Sequence, residues 1–167
     1  TTKANAYFTG MGKSKRIVIY DNLLKNFSEK EALAVIAHEM GHWKKMHLLK
    51  KMAVAVAGGI LTIFIIKVII NSMNISHDFK AIIIAFLIFS LLSFVVMPLE
   101  NYISRKFEKE ADRLSVELTQ KPEGHIQLMQ KLAKSNLSNI EPNRIVKYII
   151  YSHPPIIERI KAVSSSN

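Results

Sequence analysis

Hydrophobic and polar residues are spread very unevenly along this 167-residue chain, and the unevenness predicts most of its elements. Met52 to Ile70 is apolar over 19 residues apart from Thr62 and Lys67, and Ala81 to Met97 runs 17 residues without a charge. As helices these runs measure roughly 25–30 Å, close to the hydrocarbon thickness of a bilayer. They are apolar all round and rich in Ile, Val and Phe, too much for a soluble core of this size, so both are expected to span a membrane. Gly58-Gly59 would permit close helix approach, and Lys67 can snorkel from near a helix end. On either side the pattern is mixed. Ala6 to Thr9 and Arg16 to Tyr20 read as short strands around the turn region Gly10 to Ser14. Ser28-Glu29-Lys30-Glu31 is a capping box opening a helix whose apolar side is Ala32, Leu33, Val35, Ile36 and Met40. After the second run, Pro98 is expected to kink or interrupt the helix, and a helix-favouring stretch from Ser104 continues towards Leu118. At its end, Thr119-Gln120-Lys121 lacks the glycine that commonly stops a helix. Gly124 to Lys134 is amphipathic, with Ile126, Leu128, Met129 and Leu132 as packing residues. Arg144 to Tyr151 gives another short helix. Ser152-His153-Pro154-Pro155 then breaks the chain, and Pro155 can start a last helix through Ile160.

Charge adds an orientation. Residues 1–51 carry ten Lys/Arg against four Asp/Glu, and residues 98–167 carry eleven against eight. The link from Asn71 to Lys80 would lie across the membrane from both flanks, and the positive-inside rule makes the flanks cytoplasmic. Lys44-Lys45 and Lys50-Lys51, just before the first span, would meet anionic headgroups. The net charge of +10 does not suggest nucleic acid, because the basic residues are dispersed or juxtamembrane and no recognition motif accompanies them. The expected organisation is one unit over 1–167: strands and a first helix in 1–51, spans at 52–70 and 81–97, and further helices in 98–167. The chain opens Thr1-Thr2-Lys3 without an initiating Met or a signal peptide, and reads as an excerpt of something longer. Cysteine is absent, which excludes disulfides and thiolate metal sites.

The candidate chemistry lies in His38-Glu39-Met40-Gly41-His42. On a helix, residues four apart share a face, so both imidazoles can reach one metal ion. Glu39 is one step round, where it can take a proton from a bound water. A pair of ordinary surface or core histidines becomes the poorer reading once a third ligand exists. Glu108 and Asp112, four apart on a later helix, offer one: Glu108 can bind the metal while Asp112 accepts the outer N–H of a ligand histidine. The alternative for both is a solvated helix face paired with Arg105, Lys109 or Arg113. For Glu110 and Glu117 that solvated reading is preferred. His47, His77 and His125 are read as interfacial.

The ordered set His38-Glu39-Met40-Gly41-His42-Trp43, a two-span hairpin, Ser104-Arg105-x-x-Glu108-x-x-Ala111-Asp112 and His153-Pro154-Pro155-x-x-x-Arg159 resembles the C-terminal catalytic part of the type I CAAX prenyl endopeptidases. These are integral-membrane zinc metalloproteases of the gluzincin group. Asn5-Ala6-Tyr7-Phe8 and Arg16 to Leu24 extend the likeness, and Trp43 with Asn136-Leu137-Ser138 favours this family over the related HtpX-type proteases. The resemblance implies a mainly α, integral-membrane fold: a gluzincin-like zinc protease core with a short β-hairpin and two transmembrane helices. It implies one Zn2+ per chain on His38, His42 and Glu108, with Glu39 as general base and Asp112 orienting His38. Asn5 and Ala6 would hold the substrate backbone, His153 would stabilise the oxyanion, and Arg159 would fix the site or the substrate's C-terminal end. The implied substrates are C-terminal CAAX segments of prenylated proteins. The implied location is the endoplasmic reticulum or a bacterial inner membrane, with the catalytic side cytoplasmic. An HtpX-like quality-control protease and a non-catalytic zinc-binding scaffold are the alternatives.

Overall fold

A computed structural model describes residues 6–10, 14, 16–75, 78–135 and 139–164. Strands β1 (Ala6–Thr9) and β2 (Arg16–Ile19) pair antiparallel, with Ala6 opposite Ile19 and Thr9 opposite Arg16. Helix α1 (Asp21–Asn26) leads into α2 (Glu29–Lys44), which begins at the expected capping box. Ser28 N–H donates to Glu31 Oε2 at 2.6 Å and Glu31 N–H to Ser28 Oγ at 3.3 Å, so two otherwise orphaned donors are satisfied. The buried side of α2 agrees only in part with the one the pattern suggested: Ala32 is buried and Val35 packs on the core. Leu33 and Met40 face outward, and the packed face is Ala32, Ala34, Ala37 and Gly41. Small residues are there because α2 crosses another helix at close range.

That partner is α4 (Phe79–Thr119), 41 residues and about 62 Å long, far more than a bilayer's hydrocarbon core. It runs unbroken through Pro98, contrary to an interruption there. The loss of one i→i−4 hydrogen bond is tolerated within so long a helix. Its N-terminal half is the second apolar run. Its C-terminal half projects beyond the run and buries Ser104, Arg105, Phe107, Glu108, Ala111, Asp112, Leu114 and Ser115. A Cβ on Gly41 would stand 3.1 Å from Ala111 Cα and 3.3 Å from Leu114 Cβ, so glycine sets how closely α2 and α4 approach. Ser115 Oγ donates to Ala34 O at 2.8 Å across the same crossing.

The first span is α3 (His47–Ser72), 26 residues or about 39 Å. Both long helices keep their most apolar stretch wholly unburied, as lipid-facing helices do. Beyond the helix's own backbone, no described atom lies within 4 Å of a Cβ built on Gly58 or Gly59, so among the described residues neither glycine brings another helix close. Between α2 and α3 the chain turns at Met46, whose φ of 53° is left-handed. Gln120 plays the same part after α4, with φ 52° where glycine is usual. Helices α5 (Pro122–Ser135), α6 (Arg144–Ile150) and α7 (Ile156–Ser164) complete the fold. Leu128 and Met129 of α5 pack on Ala34, with Phe27, Val35, Leu132, Ile156 and Ile160 around them.

Candidate metal centre

The crossing of α2 and α4 brings two distant motifs together. His38 and His42, one turn apart on α2, point their Nε2 atoms at each other across 3.1 Å. Glu108 closes the triangle, with Oε2 3.5 Å from His38 Nε2 and Oε1 3.3 Å from His42 Nε2. Three ligands on a tetrahedral zinc at 2.0–2.1 Å stand about 3.3 Å apart, so this spacing fits that ion. The chemistry of the donors fits as well: two imidazoles and a carboxylate, with no soft sulfur. Among the described residues these three alone form such a cluster.

Asp112 lies one turn beyond Glu108 and gathers three partners. His38 Nδ1 is 3.0 Å from its Oδ1, close but off the line of a regular hydrogen bond. Arg159 of α7 donates to it twice, Nε to Oδ2 at 2.7 Å and an Nη to Oδ1 at 2.5 Å. His125 Nε2 stands 3.4 Å away. Burial alone would depress His38, but Asp112 and then Glu108 outweigh it and hold the imidazole's pKa up at about 9. The two carboxylates therefore favour positive charge at His38. Glu39 faces the same place. Burial pushes its carboxyl above the ordinary value, against the pull of His38 and His42 and with the push of Glu108, towards the range useful to a general base.

A cavity of about 190 Å³ opens beside these groups. Leu23, Val35, Leu128 and Leu132 line its apolar side, and Glu39 and His153 its polar side. His153 is exposed, with Nε2 3.5 Å from Glu108 Oε1. Its loop is held from α4: Arg105 Nη1 donates to the carbonyls of Lys147 (3.2 Å) and Tyr151 (2.5 Å), and Asn101 Nδ2 to Ile149 O at 2.6 Å. Arg105 is thus not a surface partner for neighbouring carboxylates but a cap on the carbonyl end of α6. Arg159 is nearly buried and committed to Asp112, with Glu108 Oε2 3.7 Å away. Ala6 opens β1, whose second edge pairs with no strand among the described residues. Asn5, His77 and Asn136-Leu137-Ser138 lie outside the described residues.

Three readings are corrected. His47 is 1% exposed rather than interfacial, its Nδ1 3.0 Å from His42 Nδ1 and its Nε2 3.2 Å from Glu110 Oε2. Glu110 therefore serves a partner instead of a solvated face, whereas Glu117 does pair with Arg113 in the open at 2.9 Å. His125 is fully buried, between Asp112 and Ser115. Counting helical turns from His42 misplaces His47, because the left-handed Met46 swings the chain back.

The sequence profile of peptidase family M48 matches residues 1–167. The chain belongs to peptidase family M48. Its relatives include the "uncharacterized metalloprotease YhfN" of Bacillus subtilis, 35% identical over 96% of this chain and 40% of that protein. A CAAX prenyl protease 1 homolog of Arabidopsis thaliana is 32% identical over 100% of this chain and 41% of its own length. Among solved structures, S. mikatae Ste24p superposes with a TM-score of 0.83 at 28% identity, covering 97% of this chain and 42% of that one. The chain thus spans about two fifths of the length of these relatives. Membership, with relatives named as metalloproteases, makes the chain part of a metalloprotease family.

Proposed function

We propose that this protein is a zinc-dependent endopeptidase acting on extended peptides at the membrane surface, with C-terminal CAAX segments of prenylated proteins as its substrates. The observation that carries this reading is the convergence of His38, His42 and Glu108 at zinc spacing with Glu39 in the same cavity. Glu108 lies about 16 Å along α4 beyond Met97, which supports a centre near the headgroups and within reach of a lipid-anchored chain. The names of the CAAX prenyl protease 1 homologs in plants and other eukaryotes support the substrate class. The excess of Lys/Arg on both flanks supports a cytoplasmic centre, in the endoplasmic reticulum or a bacterial inner membrane.

His38, His42 and Glu108 would hold one zinc ion per chain. Bound there, zinc supplies a Lewis acid for the scissile carbonyl and lowers the pKa of water. Glu39 takes the proton of the attacking water and passes it to the leaving amine. His153 donates to the carbonyl oxygen as negative charge develops on it. Asn5 and Ala6 would hold the substrate backbone, which adds to the open edge of β1 as a further strand. Asp112 holds His38 in place, and Arg159 holds Asp112, so the positioning role for Arg159 is preferred over contact with the substrate.

The test is a cleavage assay on protein purified in detergent, using a farnesylated CAAX peptide and its unmodified twin. Faster cleavage of the farnesylated peptide, stopped by a zinc chelator and restored by zinc, is the expected result. Equal rates on the two peptides would replace the substrate class with HtpX-like quality control. Bound zinc without hydrolysis of either would leave a zinc-binding membrane scaffold.

A further inference from the structure

We propose that His47 and Glu110 are positioning residues for His42, forming a directed hydrogen-bond chain that turns its Nε2 lone pair towards the metal. The inference rests on the reading of His42 as a ligand and goes beyond it, because neither residue belongs to the converging donor set. His38 has a carboxylate directly behind it, in Asp112. His42 has none. Behind it, Nδ1 to Nδ1 at 3.0 Å, lies His47, and behind that, at 3.2 Å, Glu110 Oε2.

The direction of the chain follows from donor and acceptor bookkeeping. A carboxylate only accepts, so Glu110 requires the proton of neutral His47 on Nε2. His47 Nδ1 is then a lone pair and accepts from His42 Nδ1–H. That leaves His42 Nε2 bare, as metal coordination demands. The tautomers are assigned from this network, and the opposite polarity would put a proton on the ligand atom.

The ring that relays this bond is fixed from several sides. His47 is 1% exposed and stacks on Phe107, with ring centroids 4.2 Å apart and planes 8° from parallel. It meets His42 edge-on, at 5.0 Å and 77°. Phe107 and Glu110 are three apart on α4 and so share the face that receives His47, while Glu108 turns towards the metal donors. The turn at Met46 is what allows the first residue of α3 to come back against the last turn of α2. One end of α4 thus supplies both the third ligand and the support for the second.

The experiment is zinc affinity measured by competition with a chromophoric chelator, on the whole chain in detergent. His47→Phe keeps the stacking and removes both nitrogens, and should weaken zinc about 10–100-fold. His47→Asn, whose side-chain oxygen can stand where Nδ1 accepts, should recover part of that loss. Glu110→Gln, at a partly exposed position that threatens the fold least, should weaken zinc less and in the same direction. Combined with His47→Phe it should add nothing, since the chain is already cut. A merely structural role would instead give additive losses and no rescue by Asn. Zinc affinity within twofold of wild type in both His47→Phe and Glu110→Gln, with zinc lost in His42→Ala, overturns the proposal and leaves the ligand reading standing. Zinc retained in His42→Ala overturns both.

Discussion

Replacing Glu39 with Gln should lower peptide hydrolysis by about 10²–10⁴-fold, the usual contribution of a positioned acid–base group, while zinc content stays at the wild-type level. The two effects separate because Glu39 borders the cavity but is not one of the three converging donors. Gln has nearly the same shape and cannot accept a proton at neutral pH. The fold should not suffer either. Burial and the neighbouring Glu108 already disfavour the Glu39 charge, so a neutral side chain removes a cost. Rates and zinc stoichiometry measured on the same preparation check this. Comparable turnover by the variant would remove Glu39 from the chemistry.

The second large effect is expected at Arg159. Its guanidinium makes two parallel hydrogen bonds to Asp112 and lies 3.7 Å from Glu108, with both carboxylates almost wholly buried. Arg159→Met would leave those charges facing each other with only imidazoles to compensate. Removing one partner of a buried pair typically costs about 3–5 kcal/mol. For a chain of this size that is a fall in Tm of about 6–20 °C. Arg159→Lys should recover little, because an ammonium cannot reproduce the two-pronged contact. Added zinc should raise the Tm of Arg159→Met by mass action, since it binds the folded site that the lost arginine helped to neutralise. Thermal unfolding in detergent, with and without zinc, measures all three. A Tm equal to wild type would mean that the pair contributes nothing to the site.

Much of this was legible in the residues. The capping box at Ser28, the i, i+4 spacing of His38 and His42 and the length of the apolar runs are local signals with local causes. Glu108 could be proposed because a hairpin of two spans returns the chain to the side it left. What escaped the sequence was long-range or depended on single backbone angles. Met46 gives no sign that it adopts φ 53°, so His47 looked remote from His42. Gly41 reads as a weak helix residue until Ala111 is found 3.1 Å from where its side chain would begin. Arg105 looked like a surface charge, and Arg159 had a role only through the resemblance, because their partners are the carbonyls of α6 and the carboxylate of Asp112, more than forty residues away in each case. The apolar face of α2 was legible only in part: Ala32 and Val35 pack as expected, but the close helix crossing selects Ala34, Ala37 and Gly41 and leaves Leu33 and Met40 outside.

The central claim is that residues about seventy positions apart build a single zinc site. Elemental analysis of the purified wild type and of Glu108→Ala tests it most directly. About one zinc per chain in the wild type, lost or sharply weakened in the variant, is the result the geometry predicts. Equal zinc in both proteins would mean that Glu108 is no ligand, and the site assembled by the crossing of α2 and α4 would not be the metal centre.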